Sequence, residues 1–324
     1  MAPANQLPLK RVPVTVVGGY LGAGKTTLIN RLLADDHGLR IAVLVNDFGE
    51  INVDENLIAD HDGQTLALTN GCVCCSIADD LGGALATISS RAPRADHIVL
   101  EASGVADPGR IANYAYGQPG LALDGVVILA DCETVETRAG DRFVGPTVRR
   151  QLSTADILLL TKTDLVGAAH ADRTADRLQR DHPNTPVIRG GDAAIRWDAV
   201  LGVGMRPNAF LDALPLKEPH NHQFATNTWW GDDTLNRDLF IALLRSWSST
   251  LLRCKGWVRF EDTPETSTLV QMVGSRVELI RDNDSSGERL HGLSFIFLRE
   301  ALSATALSNA MSGCRSSELV DSTL

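Results

Sequence analysis

The stretch GGYLGAGKTT, Gly18 to Thr27, decides how the rest of the chain is read. It spells GxxxxGKT through Gly19, Gly24, Lys25 and Thr26, straight after the β-branched run VTVV and straight before Leu28, Ile29, Leu32 and Leu33 at helical spacing. Glycine lets consecutive backbone N–H groups turn inward on one point, and the helix that follows adds the positive end of its dipole. That combination cradles phosphate. The expected cradle is Gly19, Gly22, Ala23, Gly24, Lys25, Thr26 and Thr27, with Lys25 reaching the β- and γ-phosphates and the Thr26 hydroxyl binding Mg²⁺.

Outward from this loop, apolar runs of strand length recur as VPVTVVG, IAVLVND, TLALT, HIVLEAS, GVVILAD, DILLLTKTD and PVIRG. Runs without polar alternation suit strands covered on both faces. Between them KTTLINRLLADDHG, ADDLGGALATISSR and ADRTADRLQRDH read as helices, and the alternation implies βαβ units in a mostly parallel sheet. A P-loop α/β domain is therefore expected over residues 9–205, with ligands at the carboxyl ends of its strands. Gly- and Pro-containing sequence over 206–222 reads as a linker. Beyond it HQFATNTWW, a long helix from Thr234 to about Leu252, and then KGWVRF, STLVQMVG, RVELIR and GLSFIFL suggest a small α+β domain with an antiparallel sheet over 223–311. The Ser-rich residues 312–324 are expected to form a disordered tail.

Composition narrows the partners. The formal net charge of −10 and the absence of long basic runs argue against nucleic acid. No stretch of about 18 apolar residues suggests a membrane span, and the N-terminal residues carry no leader pattern, so the expected location is cytoplasmic. In a reducing compartment closely spaced cysteines are more often metal ligands or catalytic thiols than disulfides.

Two further motifs accompany the loop. HIVLEASG ends an apolar run on Glu101, placed to hold the Mg²⁺ shell or orient water, and Gly104 follows where a backbone N–H could meet a γ-phosphate. In LLLTKTD, Asp164 can accept from guanine N1–H and the 2-amino group while the stem of Lys162 lies on the purine face. Adenine lacks that donor pair, so the base is read as guanine and the nucleotide as GTP. Thr161 stands where such motifs normally carry Asn, which removes a side-chain amide from the site.

TNGCVCCSIADD, Thr69 to Asp80, concentrates Cys72, Cys74 and Cys75, three of the chain's six cysteines. No second Cys or His pair completes a four-ligand structural zinc site. Three thiols with at most one outside ligand make an incomplete soft site, suited to a metal that must leave again; Zn²⁺, Co²⁺, Ni²⁺ and Cu⁺ are the candidates. Glu50, in the acidic stretch VNDFGEINVDENLI with Asp47, Asp54 and Glu55, is a candidate outside ligand. A thiol redox switch and a structural role remain the alternatives. His220 and His222 sit in the linker, where i, i+2 spacing on an extended chain puts both imidazoles on one side and could take up a metal loosely, although solvated histidines are the favoured reading.

Taken in order, the P-loop, GEINVDENLI, NGCVCC, EASGVADP and TKTD make the chain resemble a CobW-type metallochaperone GTPase, a relative of the GTPases that help insert nickel into urease and hydrogenase. LLRCKGWVRF and the strands after it resemble the family's C-terminal domain, so the resemblance covers nearly the whole chain. It implies slow GTP hydrolysis coupled to delivery of a transition metal, most often zinc or cobalt, to a client protein. By position it assigns the metal to Cys72, Cys74 and Cys75, the P-loop roles to Lys25 and Thr26, and the strand-end role to Glu101. The C-terminal domain is the expected client surface, with a homodimer left open. A nucleotide-gated redox sensor, and a G-domain assembly factor with little hydrolysis of its own, are the rival readings.

Overall fold

The structure is a computed structural model and describes residues 11–35, 38–46, 65–68, 94–190, 195–202, 224–282, 290–298 and 302–315, together with 81, 83, 85, 86 and 88. Packing divides the chain into two compact units. The first holds most of the chain up to Asp176, and the second most of it from Met205 onward.

The apolar runs become a seven-stranded sheet. β1 (Val12–Gly19), β2 (Ile41–Asn46), β3 (Thr65–Leu68), β4 (His97–Glu101), β5 (Leu121–Asp131), β6 (Ile157–Thr161) and β7 (Val187–Arg189) lie in the order β3-β2-β4-β1-β5-β6-β7. The β1–β4, β1–β5, β2–β3, β2–β4 and β5–β6 pairs are all parallel. Every residue of β4 and β5 is buried, which accounts for the lack of polar alternation in their sequences. The order places β1 between β4 and β5, and the chain leaves its carboxyl end through the glycine-rich loop into α1 (Lys25–Ala34). Inside the sheet, the polar Thr15 is satisfied: its hydroxyl donates to the Leu201 carbonyl at 2.7 Å and lies 2.8 Å from His97 Nε2.

Three helices go beyond the sequence reading. α2 (Pro108–Tyr116) starts on Asp107, whose carboxylate accepts from Gly109 N at 3.0 Å, with Pro108 in the first turn. α3 (Val135–Gly140) and α4 (Gly145–Ser153) follow β5, and Asp141 between them accepts from the amides of Phe143 and Val144. α5 (Ala168–Asp181) matches the expected ADRTADRLQRDH helix, and α6 (Trp197–Val200) is a single short turn of helix. The linker 206–222, with His220 and His222, lies outside the described residues.

The second sheet consists of β8 (Phe224–Trp230), β9 (Thr234–Leu235), β10 (Leu251–Phe260), β11 (Thr263–Val273), β12 (Arg276–Arg281) and β13 (Gly292–Leu298). Its main path runs β12-β11-β10-β13-β8 with every neighbour antiparallel, and β9 adds to β10 in parallel. The helix expected from Thr234 to Leu252 is shorter. α7 spans Arg237–Ser246, because Asn236 caps it by accepting from Leu239 N, while Thr234 and Leu235 are taken by β10 and Leu251 and Leu252 already belong to that strand. One face of this sheet packs Phe260, Phe295 and Phe297 with Phe240 of α7, Trp247 at its end, and Leu307 and Met311 of α8 (Ala304–Ser312). Full burial of each phenylalanine contributes about 2 kcal/mol. The domain does not stop at 311: Cys314 is buried in that core, its carbonyl accepts from Asn236 N at 2.7 Å, and Arg315 bridges to Leu235. Residues 316–324 lie outside the described residues.

Gly256, mid-β10, has φ +155°, and a Cβ there would lie 2.0 Å from the Gly292 carbonyl oxygen of β13. Backbone cannot move aside as a side chain can. Gly256→Ala is therefore expected to destabilise the C-terminal domain by about 2–4 kcal/mol, lowering its denaturation midpoint; an unchanged midpoint would contradict the register given for β10 and β13.

Candidate functional site

The glycine-rich loop has the backbone its sequence called for. Gly19, Gly22 and Gly24 take φ of 137°, 74° and 93°, conformations that side-chain-bearing residues rarely adopt. The carbonyls of the loop nearly all find partners. Lys25 Nζ donates to Gly19 O at 3.1 Å, Ala23 N to Tyr20 O at 3.0 Å, and Leu28 N to Gly24 O at 3.0 Å. Arg138 of α3 donates to Leu21 O while its guanidinium lies 5.2 Å from the centre of the Tyr20 ring. Thr161, at the end of β6, donates to Ala23 O at 2.8 Å. Lys25 is buried along its stem, whereas Gly22 and Thr27 are exposed.

Glu101 ends β4 beside β1 and is 3% exposed; its Oε1 accepts from the Thr26 hydroxyl at 3.3 Å. A buried carboxylate facing a hydroxyl at the mouth of a phosphate loop is a hard-oxygen donor set, and the pair fits Mg²⁺. The chain then turns through Ser103–Asp107, where Ala106 N donates to Ser103 O at 2.9 Å. Gly104 sits against the loop so closely that a Cβ would meet Leu21 Cδ2 at 2.5 Å and Leu21 N at 2.9 Å. Gln151 of α4, 2% exposed, donates to Gly104 O at 3.1 Å and to Ala106 O at 2.8 Å. A small cleft between loop, β5, α3 and α4 is lined by Tyr20, Ala23, Asp131, Thr134, Arg138 and Gln151.

At the ends of β5 and β6 the structure brings together residues that the sequence had not linked. Lys162 Nζ donates to Asp131 Oδ2 at 2.9 Å, and Lys162 has φ 56°, a left-handed backbone uncommon outside glycine. Burial alone would raise the Asp131 carboxyl, but the hydrogen bonds from Lys162 and from Glu133 N hold it below its ordinary value. The pair thus contributes stability that is present above the unfolded carboxylate pKa and lost as pH falls through the folded one. Asp164 is exposed, two positions further along the same turn. Thr161, whose hydroxyl had stood for a missing amide, instead ties this base loop to the phosphate loop.

Cys72, Cys74, Cys75, Glu50, Asp47, Asp54 and Glu55 lie outside the described residues. Cys132, Cys254 and Cys314 are buried free thiols, and burial pushes the pKa of each up, away from the thiolate that a soft metal or an oxidant needs. Among the described residues, no group of three or more His, Cys, Asp or Glu is arranged to hold a metal. None of the described helices is long and apolar enough to cross a membrane. Sequence reading missed Asp131, Arg138 and Gln151. Asp131 carried a signal, an acid ending an apolar strand as Glu101 does, while Arg138 and Gln151 carried none because their partners are remote in sequence.

Comparison with known proteins agrees with this arrangement. Residues 13–189 match the family described as CobW/HypB/UreG, nucleotide-binding domain, and residues 224–315 match the Cobalamin synthesis protein cobW C-terminal domain. The zinc chaperone YjiA of Escherichia coli is 36% identical over 208 residues, covering 62% of this chain and 63% of that protein. The zinc chaperone CobW of Sinorhizobium sp is 28% identical over 360 residues, covering 94% of this chain and 99% of that protein. The zinc-regulated GTPase metalloprotein activator 1 of Schizosaccharomyces pombe is 38% identical over 170 residues, covering 49% of this chain and 41% of that protein. With its phosphate loop, strand-end glutamate, base loop and second sheet in this order, the chain belongs to the CobW/HypB/UreG family of P-loop GTPases.

Proposed function

We propose that the chain is a metallochaperone that hydrolyses GTP and uses the GTP and GDP states to hold and release a transition metal, with zinc first and cobalt second, for a client metalloprotein. The observation that carries the nucleotide half is the meeting of Thr26 and Glu101 at 3.3 Å beside a loop whose Gly19, Leu21 and Ala23 carbonyls are held by side chains from its surroundings. Lys25 would exchange its bond to Gly19 O for the β- and γ-phosphate oxygens, neutralising charge as it develops. Glu101 and the Thr26 hydroxyl would hold Mg²⁺, which supplies charge neutralisation between the phosphates. Asp164 would read the guanine edge, and Lys162, directed by Asp131, would offer its stem to the purine face.

What supports the metal half is the sequence GCVCC. β3 ends at Leu68 and runs parallel to β2, as β4 does, so Leu68 and Glu101 share one edge of the sheet, and Cys72 follows Leu68 by four positions in the sequence. Relatives named zinc chaperones and a metalloprotein activator favour zinc as cargo and a metalloprotein as recipient. Cargo held by three thiolates and at most one further ligand exchanges more readily than metal in a closed four-ligand site.

Two substitutions test the reading. Lys25→Ala is expected to lower GTP turnover at least about 100-fold while zinc affinity of the nucleotide-free protein stays within about twofold; loss of both would contradict two separate sites. Thr161→Val keeps the shape of the side chain and deletes the tie to Ala23 O, leaving that carbonyl without its partner. Release of fluorescent GDP should quicken about 5- to 10-fold, and an unchanged release rate would show that the base loop and phosphate loop are not coupled through Thr161.

A further inference from the structure

Val148, Gln151 and Leu152 share the buried face of α4, and the middle one is an amide. An amide at such a position costs about 1–3 kcal/mol if its N–H groups go unmet, so a purely packing role would have selected leucine or methionine. Both hydrogen-bond partners of the Gln151 amide nitrogen are carbonyls, Gly104 O at 3.1 Å and Ala106 O at 2.8 Å, which uses both of its N–H groups. The Ser103 carbonyl is taken by Ala106 N at 2.9 Å. In a planar trans peptide a fixed carbonyl sends the next residue's N–H the opposite way. Three held carbonyls therefore fix the directions of the Gly104, Val105 and Asp107 amides. Gly104 has no room for a side chain against Leu21 of the phosphate loop, so the turn cannot shift toward that loop without disturbing it.

We propose that Gln151 is a positioning residue that presets the Ser103–Asp107 turn for the γ-phosphate, so that the chain distinguishes GTP from GDP through an amide on α4. The inference rests on the nucleotide reading above and adds the group that makes the turn selective. Without Gln151 the Gly104 and Ala106 carbonyls are free to swing, and the turn must be ordered by the nucleotide itself. Binding of GDP, which does not reach the turn, is spared. Binding of a triphosphate carries the ordering cost.

The test measures affinities for GDP and for a non-hydrolysable GTP analogue, with Mg²⁺, in the full chain, together with hydrogen exchange of the peptide covering 103–107. Gln151→Met keeps the volume and removes both donors. GDP affinity is expected within twofold of wild type, affinity for the analogue about tenfold weaker, and the analogue-dependent protection of 103–107 lost. Equal losses for both nucleotides, or none for either, would overturn the inference and leave a merely structural glutamine. Should Gln151→Met fold poorly, Gln151→Glu gives an independent readout. A carboxylate facing two carbonyls repels them, but its protonated form donates one hydrogen bond, and burial raises its pKa. Discrimination by that variant should recover as pH falls, while wild type shows no such trend; a flat profile would contradict the proposal. If wild type itself binds both nucleotides alike with identical exchange at 103–107, the turn does not sense the γ-phosphate. In that case the underlying reading fails before Gln151 is reached.

Discussion

A loop that offers its amides to a ligand must dispose of its carbonyls, and that constraint organises the first unit. Every peptide turned inward at one end is turned outward at the other, so a phosphate cradle is a ring of carbonyls that need donors. Here those donors come from four different places. α1 serves Gly19 through Lys25 and Gly24 through Leu28, the loop's own backbone serves Tyr20, α3 serves Leu21 through Arg138, and β6 serves Ala23 through Thr161. Each neutral bond is worth only about 0.5–1.5 kcal/mol net, but together they hold a glycine-rich segment in one arrangement before any ligand arrives. Order supplied in advance is order that nucleotide binding need not supply.

The same rule recurs one strand away. The turn after β4 has its carbonyls held by Gln151 and by its own backbone, and Gly104 presses it against Leu21. The ion pair of Lys162 with Asp131 does for the base loop what Thr161 does for the phosphate loop, fixing a side chain in a left-handed backbone position. Phosphate loop, turn and base loop thus each hang on a residue from a neighbouring element. A change in one is felt as strain in that element rather than dissipated in a free loop.

Much of this was legible in the sequence, and the limits have physical causes. The strands of the first sheet could be read because burial on both faces leaves uninterrupted apolar runs, as in HIVLE and ILLLT. The loop glycines could be read because positive φ leaves few alternatives. α3 and α4 carry little apolar signal, with Val135 the one buried residue described in α3 and Gln151 set within the stripe of α4, whereas α2 did carry one in the Asp107–Pro108 start and the Ile111, Ala112 and Ala115 stripe. The helix drawn from Thr234 to Leu252 was too long because propensity does not reveal that β10 claims Thr234 and Leu235 from one side and Leu251 from the chain itself. Thr161 looked like a lost amide because its partner, Ala23, lies 138 residues away. The functional side chains were legible where chemistry demands a spacing and illegible where tertiary contact supplies the reason.

The proposed function requires that nucleotide state govern a thiolate metal site at Cys72, Cys74 and Cys75. The most direct measurement is a Co²⁺ titration of wild type and Cys74→Ala, followed by thiolate charge-transfer absorption, with Mg²⁺ and either a non-hydrolysable GTP analogue or GDP. A strong thiolate band is expected in wild type with the GTP analogue, weaker binding with GDP, and a diminished band in Cys74→Ala. A spectrum without a thiolate band in either nucleotide state, or one indifferent to the nucleotide, would contradict it.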